Sequence, residues 1–269
     1  MPEPDDDLAL IVEAAESAGA IARSFFGGVY RRWDKNKGEP VTEADLAIDT
    51  FLREKLVAAR PGYGWLSEES ADNDARLDAE KTFVVDPIDG TVAFLKGRPH
   101  FTVSIAIVMH GRPVSAVVLN PVTRECFAAS AQGGATRDGL AIHASNRESV
   151  EGSRVLAPHS LLEHPVWSQA PNIPWPPMHV EQRNSIAYRL ALVAAGDFDA
   201  ALSLSGKHDW DIAAGDLIVH EAGGRVSDHK GNVLRYNDRV PLQRSLVAAG
   251  QPLHAHLLAR VSHLNLPER

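Results

Sequence analysis

The sequence predicts an α/β protein in which layers of sheet and helix are packed together. Short apolar segments rich in β-branched residues indicate buried strands, and longer segments with apolar residues at helical spacing indicate amphipathic helices. Both kinds occur in both halves of the 269-residue chain. Because a single core stops growing near this length, one large domain and two subdomains are both compatible with it; we expect two subdomains, residues 1–150 and residues 151–269.

The first 62 residues predict two helices joined by a polar loop. Apolar residues at helical spacing run from Leu8 to Phe26, after a possible cap at Asp5–Asp7. Residues 31–38 are polar and of mixed charge, which favours a loop. A second helix is expected from Thr42 to Ala59, because Pro61 and Gly62 end the pattern.

From residue 81 the pattern changes to strands and then to alternating elements. His110–Arg112 separates two apolar segments and predicts a β-hairpin. Ser185 is a candidate helix cap, and glycines follow both later helices. The expected strands are 81–85, 101–108, 114–119, 125–129, 154–157 and 199–204, and the expected later helices are 186–195 and 211–222.

Composition limits the function classes. The formal net charge of −8 argues against a general surface for nucleic-acid polymers or anionic membranes. It still permits a small phosphorylated ligand, because metal ions can supply local positive charge. The single cysteine, Cys126, and the absence of a secretory or membrane-spanning segment predict a cytoplasmic protein.

The most informative motif follows the strand at residues 81–85. It reads Asp86-Pro87-Ile88-Asp89-Gly90-Thr91, so two carboxylates lie three residues apart where a buried strand ends. Such a turn can direct two carboxylates and a backbone carbonyl into one small volume, which suits a hard cation such as Mg²⁺. The alternative is a tight turn whose aspartates cap their own backbone.

Three further acidic segments accompany this motif, in order along the chain. They contain Thr42-Glu43-Ala44-Asp45, Leu66-Ser67-Glu68-Glu69-Ser70 and Asp209-Trp210-Asp211, the last followed by Glu221-Ala222-Gly223-Gly224. Together the four segments resemble the inositol monophosphatase superfamily of Mg²⁺-dependent, lithium-sensitive phosphomonoesterases. The resemblance extends from about Leu8 to about Gly250 and implies an α-β-α-β-α sandwich.

The resemblance also implies a metal site and a cofactor. It assigns metal ligation to Glu68, Asp86, the Ile88 carbonyl, Asp89 and Asp211, with Asp86 bridging two Mg²⁺ ions. A third ion and the use of Mn²⁺ fit the same family, as does inhibition by Li⁺. The N-terminal subdomain would then carry most ligands, and the C-terminal subdomain would carry Asp211 and the elements of substrate specificity.

Catalytic roles follow from the same resemblance. Thr91 and Asp45 would orient and activate the attacking water, with Glu68 beside them, and the amides of Gly90 and Thr91 would bind phosphate if a helix starts there. Each acid has a simpler explanation: Asp45 falls in a first helical turn, and Asp211 could be a plain N-cap. We expect Glu69 to be a solvated neighbour of Glu68, and Asp209 to be a surface residue.

Other hydrolytic and nucleotide-binding sites find no support in the sequence. The twelve histidines show no zinc-binding spacing, and Ser67 and Ser70 lack a G-x-S-x-G elbow. The glycines form neither a Walker loop nor a G-x-G-x-x-G motif after a strand.

Among small phosphorylated metabolites, the sequence favours 3′-phosphoadenosine 5′-phosphate, and hence a 3′(2′),5′-bisphosphate nucleotidase. Leu204 stands where inositol phosphatases typically carry a sugar-binding glutamate, and Phe94-Leu95-Lys96 resembles the bacterial nucleotidases. Inositol-1-monophosphatase and histidinol-phosphatase are the alternatives. The expected substrate contacts are Asp89, Gly90, Thr91, Asp211, Lys96, Arg183, Ser185 and Lys207.

Two further expectations concern partners. Some proteins of this fold have regulatory binding roles, so a non-catalytic binding protein is the alternative of a different class. Catalysis is favoured because the chain has all five residues of the expected metal site and water-activating group, namely Glu68, Asp86, Asp89, Thr91 and Asp211. Members of the family are often dimers, so the resemblance extends the expectation of a homodimer to this chain.

Overall fold

A computed structural model of the protein describes residues 4–35, 40–161, 167, 169–171 and 173–266. Two short 3₁₀ helices, Asp74–Asp78 and His159–Leu161, accompany the elements below. The α-helices are α1 (Pro4–Phe25), α2 (Glu43–Ala59), α3 (Thr91–Leu95), α4 (Ile186–Ala194), α5 (Asp209–Glu221) and α6 (Gln251–Val261). The strands are β1 (Arg32–Asp34), β2 (Pro40–Thr42), β3 (Gly64–Ser67), β4 (Lys81–Asp89), β5 (Thr102–Met109), β6 (Arg112–Leu119), β7 (Cys126–Ser130), β8 (Gly134–Arg137), β9 (Leu140–Ala141), β10 (Arg154–Leu156), β11 (His179–Glu181), β12 (Ala200–Ser203), β13 (Lys207–His208), β14 (Gly224–Ser227), β15 (Leu242–Gln243) and β16 (Leu246–Gly250).

These elements form five layers, which confirms the α-β-α-β-α sandwich. Helices α1 and α2 cover the outer face of a seven-stranded sheet with the order β3-β4-β5-β6-β7-β8-β9. Helices α4 and α5 lie between that sheet and a five-stranded sheet with the order β11-β10-β12-β16-β14. Helix α6 covers the far face of the second sheet. The subdomain boundary at residue 150 stays a prediction.

Three apolar clusters hold the layers together. One lies between α1, α2 and the first sheet and includes Ile48 and Phe83. The largest surrounds α4 and α5, and the third, with Leu202 and Leu257, lies beneath α6. Burial of apolar surface on both faces of each sheet explains why the central strands are nearly continuous apolar segments.

Several local predictions are confirmed by hydrogen bonds and turn geometry. The predicted start of α2 is correct to within one residue, and the Thr42 side chain caps it in a capping box with Asp45 that we did not predict. Ser185 caps α4. His110 and Gly111 have φ of 52° and 79°, as a two-residue type I′ hairpin between β5 and β6 requires.

Strand β4 prepares the candidate site. It pairs in parallel with β3 and antiparallel with β5, and all nine of its residues are buried. Its register with β5 shifts between Asp86 and Asp89, where the strand passes into α3. Such an irregularity bends a strand and redirects its side chains. The two aspartates can therefore face the same volume.

Several predicted boundaries were wrong. Helix α1 begins at Pro4, so Asp5–Asp7 lie within the helix and do not precede it. Strand β4 continues to Asp89, four residues beyond the predicted end. Helix α5 begins at Asp209, with His208 as N-cap, so Asp211 is the third helical residue and not the first. The predicted loop at residues 31–38 contains strand β1, which pairs with β2, while its residues 36–38 lie outside the described part of the chain. Strand β1 is stabilised by its pairing with β2, which the polar composition of residues 31–38 does not reveal.

No helix in the described ranges is both long and apolar enough to cross a bilayer.

Candidate active site

Three carboxylates converge where β4 ends and α5 begins. Oxygen atoms of Asp86, Asp89 and Asp211 all lie within 4.8 Å of one another. The first two come from a buried strand of the seven-stranded sheet, and the third comes from the helical layer between the sheets. The fold therefore brings together residues that are more than 120 positions apart in the sequence.

Electrostatics make this cluster costly without a counter-charge. Burial, together with the negative charge of Glu68 and the other aspartates, raises the pKa of Asp86 well above its ordinary value. Burial and the neighbouring carboxylates likewise raise the pKa of Asp211. Burial raises the pKa of Asp89 to about 6. A divalent cation would relieve this repulsion, and carboxylate oxygens are its preferred ligands, so the residues fit Mg²⁺.

Hydrogen bonds orient the carboxylates of β4. Asp86 Oδ1 accepts a bond from the Ile88 amide at 3.0 Å. Asp89 Oδ2 accepts bonds from Ser185 Oγ and the Ala187 amide, each at 2.6 Å. The Ser185 hydroxyl also caps α4, so the start of that helix supports Asp89.

Asp211 is held by the start of its own helix, and the positively charged side chain of Lys207 acts on it electrostatically. Its Oδ2 accepts the His208 amide at 2.9 Å. The positive charge of Lys207 acts to lower the pKa of Asp211, against the larger effect of burial. Lys207 Nζ donates to Ser205 Oγ at 3.1 Å and to the Gly206 carbonyl at 3.0 Å.

A second group of predicted residues adjoins the cluster. Thr91 Oγ1 lies 3.2 Å from the Ile88 carbonyl oxygen and 3.5 Å from Asp45 Oδ1. Asp45 Oδ2 accepts bonds from the Thr42 amide at 2.8 Å and from Thr42 Oγ1 at 2.5 Å. Burial raises the pKa of Asp45 to about 6. The hydroxyl of Thr91 thus connects the β4 turn to a buried acid on α2.

The side chain of Glu69, expected to be solvated, is buried, and that of Glu68 is the more exposed of the two. The Glu68 side chain is 32% exposed, whereas that of Glu69 is only 2% exposed. Lys35 Nζ lies 2.6 Å from Glu69 Oε1 and 3.6 Å from Glu68 Oε1, and Glu69 Oε2 has no hydrogen-bond partner among the described residues. Burial raises the pKa of Glu69 to about 7. The expectation of a solvated Glu69 was wrong.

A buried acid on α2 holds the segment that carries Glu68. Asp49 accepts a hydrogen bond from Ser67 Oγ at 2.5 Å and another from Ser70 Oγ at 2.6 Å. Because Asp45 lies one turn earlier on the same helix, α2 positions two acidic parts of the site together.

Gly90 is required between Asp89 and Thr91. Its φ is 97° and its ψ is 37°, in the left-handed region. A Cβ at this position would lie 2.9 Å from the His100 carbonyl oxygen and 3.0 Å from the Ser185 nitrogen. Only glycine avoids both the backbone strain and these contacts.

The other predicted substrate contacts have different surroundings. Lys96 is exposed and caps the C-terminal end of α3. Arg183 Nη2 forms an ion pair with Glu181 Oε2 at 2.8 Å. The hydroxyl of Ser185 is completely buried and used by Asp89, so the structure gives it a supporting position beneath a carboxylate.

Asp209 is the clearest correction to the sequence analysis. Expected at the surface, it is 0% exposed. Its Oδ2 accepts the Asn237 amide at 2.7 Å, and its Oδ1 accepts Gln243 Nε2 at 2.9 Å. Burial raises the pKa of Asp209 to about 6.

Sequence reasoning missed three residues that shape the site: Lys35, Thr42 as the support of Asp45, and Asp49. The Thr42-to-Asp45 pair has the spacing of a capping box, so this contact was accessible from the sequence. Lys35 and Asp49 carry no such signal, because their partners lie 18 or more positions away.

Comparison with known proteins supports a common origin over most of the chain. The family model described as inositol monophosphatase family matches residues 3–265. An inositol-1-monophosphatase of Mesorhizobium japonicum is 34% identical over 265 residues, covering 92% of this chain and 97% of the relative. A Nus factor SuhB of Xylella fastidiosa is 33% identical over 260 residues, covering 94% of this chain and 92% of the relative.

Solved structures agree with the sequence relatives. The extragenic suppressor protein suhB from Bartonella henselae superposes with a TM-score of 0.82 at 30% identity, covering 96% of this chain and 99% of that one. An inositol monophosphatase from Anabaena superposes with a TM-score of 0.78 at 26% identity, covering 97% of each chain. The protein therefore belongs to the inositol monophosphatase family and is a phosphoric monoester hydrolase.

Proposed function

We propose that the protein hydrolyses a small polyol phosphate, of which inositol 1-phosphate is the first candidate, in a Mg²⁺-dependent reaction. The observation that carries the proposal is the convergence of Asp86, Asp89 and Asp211 beside the Thr91–Asp45 pair. The relative from Mesorhizobium japonicum, named an inositol-1-monophosphatase, supports the choice of substrate.

The metal ligands in this proposal are Glu68, Asp86, the Ile88 carbonyl, Asp89 and Asp211. Two Mg²⁺ ions, with a third of lower affinity, would supply charge neutralisation at the phosphate and activation of water when bound. Mn²⁺ is expected to substitute, and Li⁺ to inhibit. The protein's own contribution is the arrangement of these oxygens, because β4 and the start of α4 hold Asp89 rigidly through Ser185 and Ala187.

Thr91 and Asp45 are proposed to orient the attacking water and accept its proton. The Thr91 hydroxyl has two acceptors within 3.5 Å, Asp45 Oδ1 and the Ile88 carbonyl. It can therefore accept a hydrogen bond from water while donating its own proton toward Asp45. Because Thr42 binds the other oxygen of Asp45, only Oδ1 is directed at Thr91.

The 3′-phosphoadenosine 5′-phosphate alternative needs cations for a second phosphate. Arg183 is already paired with Glu181, and Lys96 is exposed at the end of α3. Lys207, which influences Asp211 electrostatically, is the best placed of the predicted cations. These surroundings favour a substrate with one phosphate. Leu204 remains a difference from the inositol enzymes, since it packs beneath α6 and has no polar atom for a sugar hydroxyl.

The proposal is tested by phosphate release with and without Mg²⁺. The substrates are inositol 1-phosphate, 3′-phosphoadenosine 5′-phosphate, fructose 1,6-bisphosphate and histidinol phosphate, and Asp211→Asn is the inactive control. We expect Mg²⁺-dependent release with the highest kcat/KM for inositol 1-phosphate. A preference for the bisphosphate nucleotide would replace the substrate assignment. No turnover of any substrate would favour a non-catalytic binding protein.

A further inference from the structure

We propose that Asp209 and Asn237 are positioning residues that hold Asp211 in register with the carboxylates of β4. This inference rests on the proposed function, in which Mg²⁺ binds the cluster of Asp86, Asp89 and Asp211. Neither positioning residue belongs to that cluster. Their role follows from a chain of part-buried hydrogen bonds that joins the start of α5 to the start of β4.

The first link ties the start of α5 to residues 235–243. Both carboxylate oxygens of Asp209 are used, one by the Asn237 amide at 2.7 Å and one by Gln243 Nε2 at 2.9 Å. The Asp209 amide donates to the Pro241 carbonyl at 3.0 Å. Strand β13, which immediately precedes α5, also pairs with β15. The backbone around Asp211 is thus held from several sides.

The second link ties the same segment to the first sheet. Asn237 has φ of 63°, a left-handed conformation that directs its amide toward Asp209 and its side chain elsewhere. Asn237 Nδ2 donates to Thr82 Oγ1 at 3.1 Å, and Asn237 Oδ1 accepts Arg76 Nη1 at 2.6 Å. Arg76 is 2% exposed and forms an ion pair with Asp72. Asn237 therefore contacts both strand β4 and helix α5.

Geometry connects these links to metal binding. Asp211 is two residues, about 3 Å of helical rise, beyond Asp209. Asp86 is four residues, about 13 Å of strand, beyond Thr82. In well-formed metal sites the ligand distances fall within about 0.2 Å of their usual values. A small displacement of α5 relative to β4 would therefore weaken binding without removing any ligand.

The test uses two variants of the full chain. In Asp209→Asn, one carboxylate oxygen is replaced by an NH₂ group, which can only donate hydrogen bonds. Both partners, the Asn237 amide and Gln243 Nε2, are donors too, so one of the two hydrogen bonds must be lost. In Gln243→Leu, the charge of Asp209 remains but one of its two donors is lost. The second variant separates geometry from charge, and it decides the question if Asp209→Asn does not fold.

The control is Tyr236→Phe. It removes the Tyr236 hydrogen bond to Asp216, which is 2.9 Å long and lies in the same segment, but it leaves every contact of Asp209 and Asn237 in place. It is expected to lower the free energy of unfolding in urea while leaving metal affinity unchanged.

The readout is Mn²⁺ binding measured by calorimetry in the absence of substrate. We expect Asp209→Asn to raise the Mn²⁺ dissociation constant by about 10- to 100-fold, the range found for residues that support metal ligands. Gln243→Leu should raise it by a smaller factor, and Tyr236→Phe should leave it within twofold. If wild-type protein binds Mn²⁺ but both test variants bind it equally well, the positioning role is wrong. If wild-type protein does not bind Mn²⁺, the proposed function itself fails.

Discussion

Gly90→Ala offers a direct test of how tightly the candidate site is built. The alanine Cβ would lie 2.9 Å from the His100 carbonyl oxygen and 3.0 Å from the Ser185 nitrogen. Both neighbours are backbone atoms, so neither can rotate away, and the chain must shift by a few tenths of an ångström. The shift would fall between Asp89 and Thr91 and against Ser185, which supports Asp89.

The expected cost has two parts. A left-handed backbone costs a residue other than glycine about 1–2 kcal/mol. Crowding in a packed region adds about 1–3 kcal/mol. We therefore expect Gly90→Ala to lower the free energy of unfolding by about 3 kcal/mol. Because misplacement of about 1 Å can reduce turnover roughly 100-fold, kcat should fall by at least tenfold.

Gly97→Ala is the matched control. Gly97 also has a positive φ, 62°, but a Cβ there would have no heavy atom within 4 Å. The control should therefore show the backbone cost of about 1 kcal/mol and nearly unchanged kcat. Urea unfolding and phosphate release measure both quantities. Equal stability loss in the two variants, with kcat retained in Gly90→Ala, would refute the close approach.

Three other predictions concern catalysis and stability. Thr91→Ala should lower kcat more than it changes KM, because the Thr91 hydroxyl faces Asp45 and not a group that recognises substrate. Steady-state kinetics with Mg²⁺ measure both quantities, and a change in KM alone would contradict this prediction. Asp7→Asn should cost about 3 kcal/mol in urea unfolding, because Asp7 is buried 2.7 Å from Lys81, whereas Glu13→Gln in an exposed pair should cost under about 1 kcal/mol. Burial lowers the pKa of His254 to about 4. Between about pH 6.5 and pH 4 this histidine is therefore protonated in the unfolded state but neutral in the folded state. The free energy of unfolding should then fall as the pH is lowered through this range, by up to about 3 kcal/mol. Unfolding of His254→Gln should show a correspondingly weaker dependence on pH, and an unchanged dependence would exclude this histidine as its source.

The sequence carried much of the local structure because local signals agreed with the final fold. Thr42 and Asp45 have the residue types and the spacing of a capping box, and Ser185 precedes an apolar helical pattern. His110-Gly111 is a natural two-residue hairpin. In each case the residues that decide the structure are neighbours in the chain.

The burial of Glu69 and Asp209 could not be predicted from neighbouring residues in the same way. Glu69 and Asp209 look like solvated charges because their partners are distant: Lys35 for the first, Asn237 and Gln243 for the second. A charged residue is rarely buried without partners, and one sequence does not reveal partners brought together by tertiary packing. For this reason the sequence analysis assigned the solvated position to Glu69, whereas Glu68 is the more exposed of the two.

Substrate specificity is the property that the sequence specifies least directly. The preference for a bisphosphate nucleotide relied on cations such as Lys96 and Arg183, whose positions depend on loop and helix ends. The curated relatives instead include inositol-1-monophosphatases. Residues that recognise the alcohol part of a substrate come from several segments, so their spacing in sequence carries little information.

The carboxylate cluster also affects the folding equilibrium. Three like charges gathered at a layer boundary oppose the folded state whenever no cation balances them, while they are far apart in the unfolded chain. Divalent ion at 100 times its dissociation constant would add about 2.7 kcal/mol to stability. Asp86→Asn should then unfold at a higher temperature than wild type in chelator, although it has lost a ligand. The arrangement that suits a divalent cation thus lowers the stability of the metal-free fold.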